Sequence, residues 1–142
     1  MTVVVGYTPT EPGRAALDRA IDEATLRQMR LVVLNSTPGD RYADTGFASR
    51  EDLAEVRSRL SEAGLDFEVR QEIRGLDAAS DIVAVAEQER AELIVLGLRQ
   101  RTVVGKFLLG STAQRVLLDA PCAVLSIAAS LVRPTTSSSE RP

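Results

Sequence analysis

Histidine is absent from the 142 residues, and cysteine occurs once. Without imidazole there is no Ser-His-Asp or Cys-His catalysis, no His metal ligand and no side chain whose unperturbed charge changes near neutral pH. A lone thiol excludes an intrachain disulfide. Cys122 stands in the strand-like run Pro121-Cys-Ala-Val-Leu-Ser-Ile127 and reads as a small buried hydrophobe rather than a nucleophile. No apolar run reaches the roughly 18 residues of a membrane span, and no basic segment leads into an apolar one as in a signal peptide, so a cytoplasmic protein is expected. The net charge of −3 gives no electrostatic case for nucleic acid, whose binders normally present a basic face. What is present, 44% hydrophobic and 26% charged residues, suits one globular domain and leaves no room for a second.

The pattern along the chain alternates strand and helix. Thr2 to Gly6 is a short β-branched strand, and Glu11 to Met29 carries Leu17, Ala20, Ile21 and Ala24 at helical spacing. Leu31 to Asn35 forms a second strand, followed by a Gly- and Pro-containing loop from Thr37 to Ala48. A second helix is expected from the N-cap candidate Ser49, with Asp52 three residues on, through Leu53, Val56 and Leu60 to a stop at Gly64. Asp66 to Ile73 alternates apolar and polar residues, as an outer strand with one solvated face does. Asp77 to Arg90 is a third helix with Ile82, Val83, Val85 and Ala86 inward, and Glu92 to Leu96 a fourth, buried strand. Ser111 to Leu118 is the last helix and Ala123 to Ile127 the last strand. The polar run Pro134-Thr-Thr-Ser-Ser-Ser-Glu-Arg-Pro142 lacks periodicity, so residues 1–128 are expected to form the domain and 129–142 a disordered tail. Five strands alternating with four helices imply a doubly wound α/β domain: a parallel sheet with helices on both faces.

The stretch richest in chemistry is Gly97 to Thr112, a basic loop bounded by glycines between a strand and a helix. Helix N-termini present free N–H groups to anions, glycine at 97 and 110 permits close backbone approach or positive φ, and Ser111 and Thr112 add hydroxyl donors or cap the helix. Arg99, Arg101 and Lys106 are available to offset phosphate charge. The acids of the first three helices read as a solvated face, and no pair stands out as general acid and base. No catalytic constellation is present.

The spacing resembles that of the universal stress proteins, which carry Gly, two residues, Gly, nine residues, then Gly followed by Ser or Thr. Gly97, Gln100, Gly110 and Ser111 occupy those places, with Gln100 departing from the pattern. The resemblance extends from Thr2 to Ala128 through Val3-Val-Val-Gly-Tyr-Thr8, Gly13-Arg-Ala-Ala-Leu17, Leu31 to Ser36, Gly75 and Ala120-Pro-Cys-Ala-Val-Leu125. It implies strand order 3-2-1-4-5, with the ligand crevice beyond the carboxyl ends of strands one and four. Tyr7 and Thr8 then fall beside the Gly97 loop. Thr8 stands where the family usually has an aspartate near the ribose and phosphates, often linked to a metal. A hydroxyl is a poorer hard-cation ligand than a carboxylate, which weighs against a divalent metal more than against a nucleotide. Ser36 matches the position whose backbone meets the adenine, and Arg99 a contact position.

These features imply a cytoplasmic regulator that binds ATP or AMP through Tyr7, Thr8, Ser36, Gly97, Arg99, Gln100, Gly110, Ser111 and Thr112. The departures at Thr8 and Gln100 point instead to a nucleotide-free dimeric interaction module of the same family, and a slow ATP hydrolase ranks behind both. The resemblance also implies a homodimer paired through the fifth strand, whose apolar edge would otherwise invite aggregation.

Overall fold

The computed structural model describes residues 1–37, 47–73, 77–99 and 110–129. Five strands, β1 (Thr2–Gly6), β2 (Arg30–Thr37), β3 (Phe67–Ile73), β4 (Leu93–Arg99) and β5 (Ala123–Ala129), alternate with four helices, α1 (Glu11–Arg27), α2 (Arg50–Glu62), α3 (Ala78–Glu89) and α4 (Ser111–Asp119). The strands form one parallel sheet in the order β3-β2-β1-β4-β5. The doubly wound order implied by the family resemblance is therefore the order found.

Burial follows position in the sheet. Val3, Val4 and Val5 of central β1 are wholly buried because helices cover both faces, which is why that strand is a continuous apolar run. Odd residues of β1 and β2 pack with Ala16, Leu17, Ala20 and Ala24 of α1 and Leu53, Val56 and Leu60 of α2. Even ones pack with Ala79, Ile82, Val85 and Ala86 of α3 and Ala113 and Val116 of α4. Edge strand β3 keeps Phe67 and Val69 half-buried on the α1 and α2 side and alternates them with Glu68, Arg70 and Glu72. At the amino ends of the strands, Arg30 bridges Glu89 at 2.7 Å and Glu68 at 2.8 Å, tying β2 to α3 and β3.

Helix ends follow their capping chemistry. Ser49 and Asp52 form a reciprocal capping box on α2, and Gly64 past its end has φ +73°. The first helix stops at Arg27, before the expected Met29, because Gln28 turns left-handed with φ 57° and its N–H bonds back to Ala24 and Thr25. Strand β4 extends to Arg99 rather than ending at Leu96: Gly97, Leu98 and Arg99 continue the ladder with Ile127, Ala128 and Ala129 of β5. Strand β5 thus runs one residue past the expected domain boundary at 128. The expected tail beyond it, the centre of the loop after β2 and Gly75 lie outside the described residues.

Candidate functional site

Beyond the carboxyl ends of β1, β2 and β4 lies a cleft of about 250 Å³. One of its walls is the start of α1. Thr10 caps that helix, its Oγ1 accepting from Gly13 N at 3.4 Å, and Pro12 follows in the first turn, where a missing N–H costs nothing. The Thr8 and Thr10 hydroxyls lie 2.7 Å apart, so one donates to the other. Backbone packs directly against backbone here. A Cβ at Gly13 would collide with the Thr8 backbone and one at Gly97 with the Pro12 carbonyl.

Apolar side chains form the opposite wall. Leu34 of β2 and Ala78 and Ile82 of α3 line it together with Gly6. Ser36, two residues after Leu34 on the same face of β2, also lines the cleft and donates its hydroxyl proton to the carboxylate of Asp81. Asp81 is only 5% exposed, one turn into α3. On the other face of β2, wholly buried Asn35 donates to the Tyr7 carbonyl at 2.9 Å and accepts from Ala48 N at 3.1 Å and Gln71 Nε2 at 2.9 Å. These bonds fasten the carboxyl ends of β1, β2 and β3 to the start of α2, so the floor of the cleft is held by satisfied polar groups.

Of the residues singled out in the sequence, Tyr7, Thr8, Ser36, Gly97 and Thr112 line this one cleft. The Tyr7 ring belongs to the core cluster under α1 and α2, where burial, and next the nearby Asp52 carboxylate, push its phenol pKa up. Gly97 is no loop residue. It sits in β4 and is glycine because Pro12 of α1 approaches there, rather than for positive φ. Gly110, with φ −67°, is the N-cap of α4, so the capping role considered for Ser111 and Thr112 falls instead to a residue without a side chain. Gly110 and Ser111 are exposed and stand outside the cleft lining. The Arg99 side chain, Gln100, Arg101 and Lys106 lie outside the described residues.

Sequence reasoning missed Thr10, Pro12, Gly13 and Asp81. A glycine inside an otherwise regular helix is the available signal for the close approach at 13, and an acid on the apolar stripe of α3 is the signal for Asp81. The solvated-face reading fails for Asp81 and also for Glu23, 9% exposed, whose carboxyl bonds to Arg27 at 2.9 Å and Arg19 at 3.0 Å. Those bonds, Arg27 first, hold its pKa below the ordinary carboxylate value. Cys122 is half-buried, and burial raises its thiol pKa, in keeping with an inert packing residue. Among the described residues no cluster of His, Cys, Asp and Glu fits a metal, and no helix is long and apolar enough to cross a membrane.

A crevice at the carboxyl edge of a doubly wound sheet, between the starts of two helices and a strand-order switch, is the ligand-site arrangement of open α/β folds. Within that class the chain belongs to the universal stress protein family, whose description matches residues 1–127. A universal stress protein of Mycolicibacterium smegmatis is 43% identical over 125 residues, covering 88% of this chain and 95% of the relative. The structure of a universal stress protein from Archaeoglobus fulgidus superposes with a TM-score of 0.73 at 30% identity, over 89% of this chain and 96% of that one. A universal stress protein crystallised in complex with cAMP matches with a TM-score of 0.66 at 25% identity, over 92% and 98% of the two chains.

Proposed function

We propose that this protein is a cytoplasmic regulator whose cleft takes an adenine nucleotide, AMP or ATP, with the base against Leu34, Ala78 and Ile82 and the phosphates toward the start of α4. The observation that carries this reading is the contrast between helix ends. Thr10, Ser49 and Asp77 cap α1, α2 and α3 with side-chain oxygens, whereas α4, which starts beside the cleft at Thr112, has no side-chain cap. Its first-turn N–H groups and positive dipole end suit a phosphate, and among the described residues nothing comes within 4 Å of a Cβ placed at Gly110. The cleft also offers both surfaces a nucleotide needs, apolar side chains at Leu34 and Ile82 and hydroxyls at Thr8, Thr10 and Thr112. Binding of cAMP by a structural neighbour supports the same ligand class.

Gly110→Asp tests the reading by moving stability and affinity in opposite directions. A carboxylate at the N-cap should stabilise α4 by about 0.3–1 kcal/mol while competing with phosphate for the same N–H groups. Calorimetry is expected to show AMP affinity falling at least about tenfold, roughly 1.4 kcal/mol, in a variant that melts no earlier than the parent. Unchanged affinity in the folded variant refutes the site.

The same proposal includes a homodimer paired through β5. Among the described residues β5 pairs only with β4, and α4, which leads into it, exposes Leu117 and Leu118. An edge carrying half-buried Val124, Leu125 and Ile127 is protected when a two-fold partner completes it.

A further inference from the structure

We propose that Asp81, acting through Ser36, makes the cleft selective for a purine that presents a hydrogen-bond donor at its six position, an amino group, over one that presents a carbonyl there. The inference rests on the nucleotide reading above and adds to it the polarity of one hydroxyl. A serine hydroxyl has one proton to give and two lone pairs with which to accept. A carboxylate has no proton to give, so in the bond between Ser36 and Asp81 the serine is the donor. Its proton is thereby committed, and what Ser36 Oγ retains for the cleft it lines is acceptor capacity. Asp81 is buried on α3 and Ser36 is held in the β2 ladder opposite Glu72 of β3, so the pair keeps its orientation when a ligand enters.

The neighbours of Ser36 in the cleft make the polarity matter. Leu34, Ala78 and Ile82 provide the apolar surface on which a base plane would lie, and they offer no side-chain donor or acceptor at its edge. Ser36 shares β2 with Leu34 and is bonded to Asp81 of α3, the helix that supplies Ala78 and Ile82, so it is the hydroxyl tied to this apolar surface. An exocyclic amino group directed at Ser36 completes a hydrogen bond. An exocyclic carbonyl sets acceptor against acceptor, leaving both oxygens desolvated and unpaired, which is costlier than the bond is favourable.

AMP and IMP carry the same ribose and phosphate and differ at the six position, amino in one and carbonyl in the other. Isothermal titration of both against the intact protein is expected to give AMP at least about tenfold tighter binding. In Asp81→Asn the amide can donate to Ser36 Oγ and release the serine proton toward the ligand, so the AMP preference should shrink to less than about threefold, chiefly by IMP gaining. Ser36→Ala, which leaves α3 untouched, should also bring the ratio below about threefold, here by AMP losing affinity. Equal binding of AMP and IMP by the parent protein overturns the selectivity while leaving the nucleotide site standing. A preference that persists in both folded variants assigns it to other groups and overturns the role of Asp81 and Ser36. Absence of binding by either nucleotide overturns the site and this inference together.

Discussion

Gly97→Ala isolates the packing that shapes the cleft. A Cβ at this position would fall 2.0 Å from the Pro12 carbonyl oxygen, 2.5 Å from the Pro12 carbonyl carbon and 3.0 Å from its Cα. All three are backbone atoms, so no side-chain rotation relieves the collision. To reach the 3.4 Å of ordinary contact, the first turn of α1 must withdraw from β4 by about 1.4 Å. That helix buries Ala16, Leu17, Ala20 and Ala24 against the sheet, so a shift of this size opens space beneath several apolar residues at once. Overpacking alone typically costs about 1–3 kcal/mol, and with the lost contacts a destabilisation of about 3 kcal/mol or more is expected. Urea denaturation followed by circular dichroism measures it directly. Gly110→Ala is the control: among the described residues nothing lies within 4 Å of its added carbon, and the change should cost less than about 1 kcal/mol. Equal midpoints for Gly97→Ala and the parent would refute the packing account and return Gly97 to the role of a loop glycine.

Three further outcomes follow from other parts of the molecule. Glu23 has a folded-state pKa below its ordinary 4.5, so its contribution is present above that value and is lost as pH falls through the lower folded value. Glu23→Gln should therefore lower urea midpoints at neutral pH and flatten their decline between about pH 5 and 3, and parallel curves for the two proteins would contradict this. Because Thr8 brings a hydroxyl rather than a carboxylate to the cleft, ATP affinity should change less than about twofold between magnesium and EDTA, whereas Thr8→Asp should make binding tighten with magnesium; a strong metal requirement in the parent protein would count against the cleft as described. Light scattering at about 50 µM should give a mass twice 15.3 kDa, and a monomer at that concentration rejects pairing through β5.

The sheet was legible because its signals are local and repeated. Val3 to Val5 and Leu31 to Leu34 are short, valine-rich apolar runs that fit strands, and Ser49 with Asp52 and Gly64 marks α2 at both ends. The end of β4 was not legible. Gly97 looks like punctuation in one dimension, and only the approach of Pro12 from α1 and the continued pairing with β5 explain a glycine inside a strand. The family resemblance drew Tyr7, Thr8, Ser36, Gly97 and Thr112 toward one place, and they do line one cleft. The division of labour between backbone and side chain was hidden from it: Tyr7 turns its ring into the core, and Asp81 takes the Ser36 proton from a helix far away in sequence. Neither direction can be read without knowing which face of β1 or α3 is turned to its neighbour.

The double backbone contact at the start of α1, Gly13 against Thr8 and Gly97 against Pro12, has a consequence for how such a protein can diversify. Only a hydrogen fits where residue 13 meets residue 8 and where residue 97 meets Pro12, so these close approaches set where the start of α1 lies against β1 and β4. Frame and chemistry are separable: a substitution among the cleft-lining threonines can change the hydrogen bonding offered to a ligand while the glycine contacts are kept. The two glycines are the opposite case, since any side chain at either would displace the frame itself. Variation in ligand chemistry should accordingly be concentrated at Thr8, Thr10 and Thr112, with Gly13 and Gly97 held fixed.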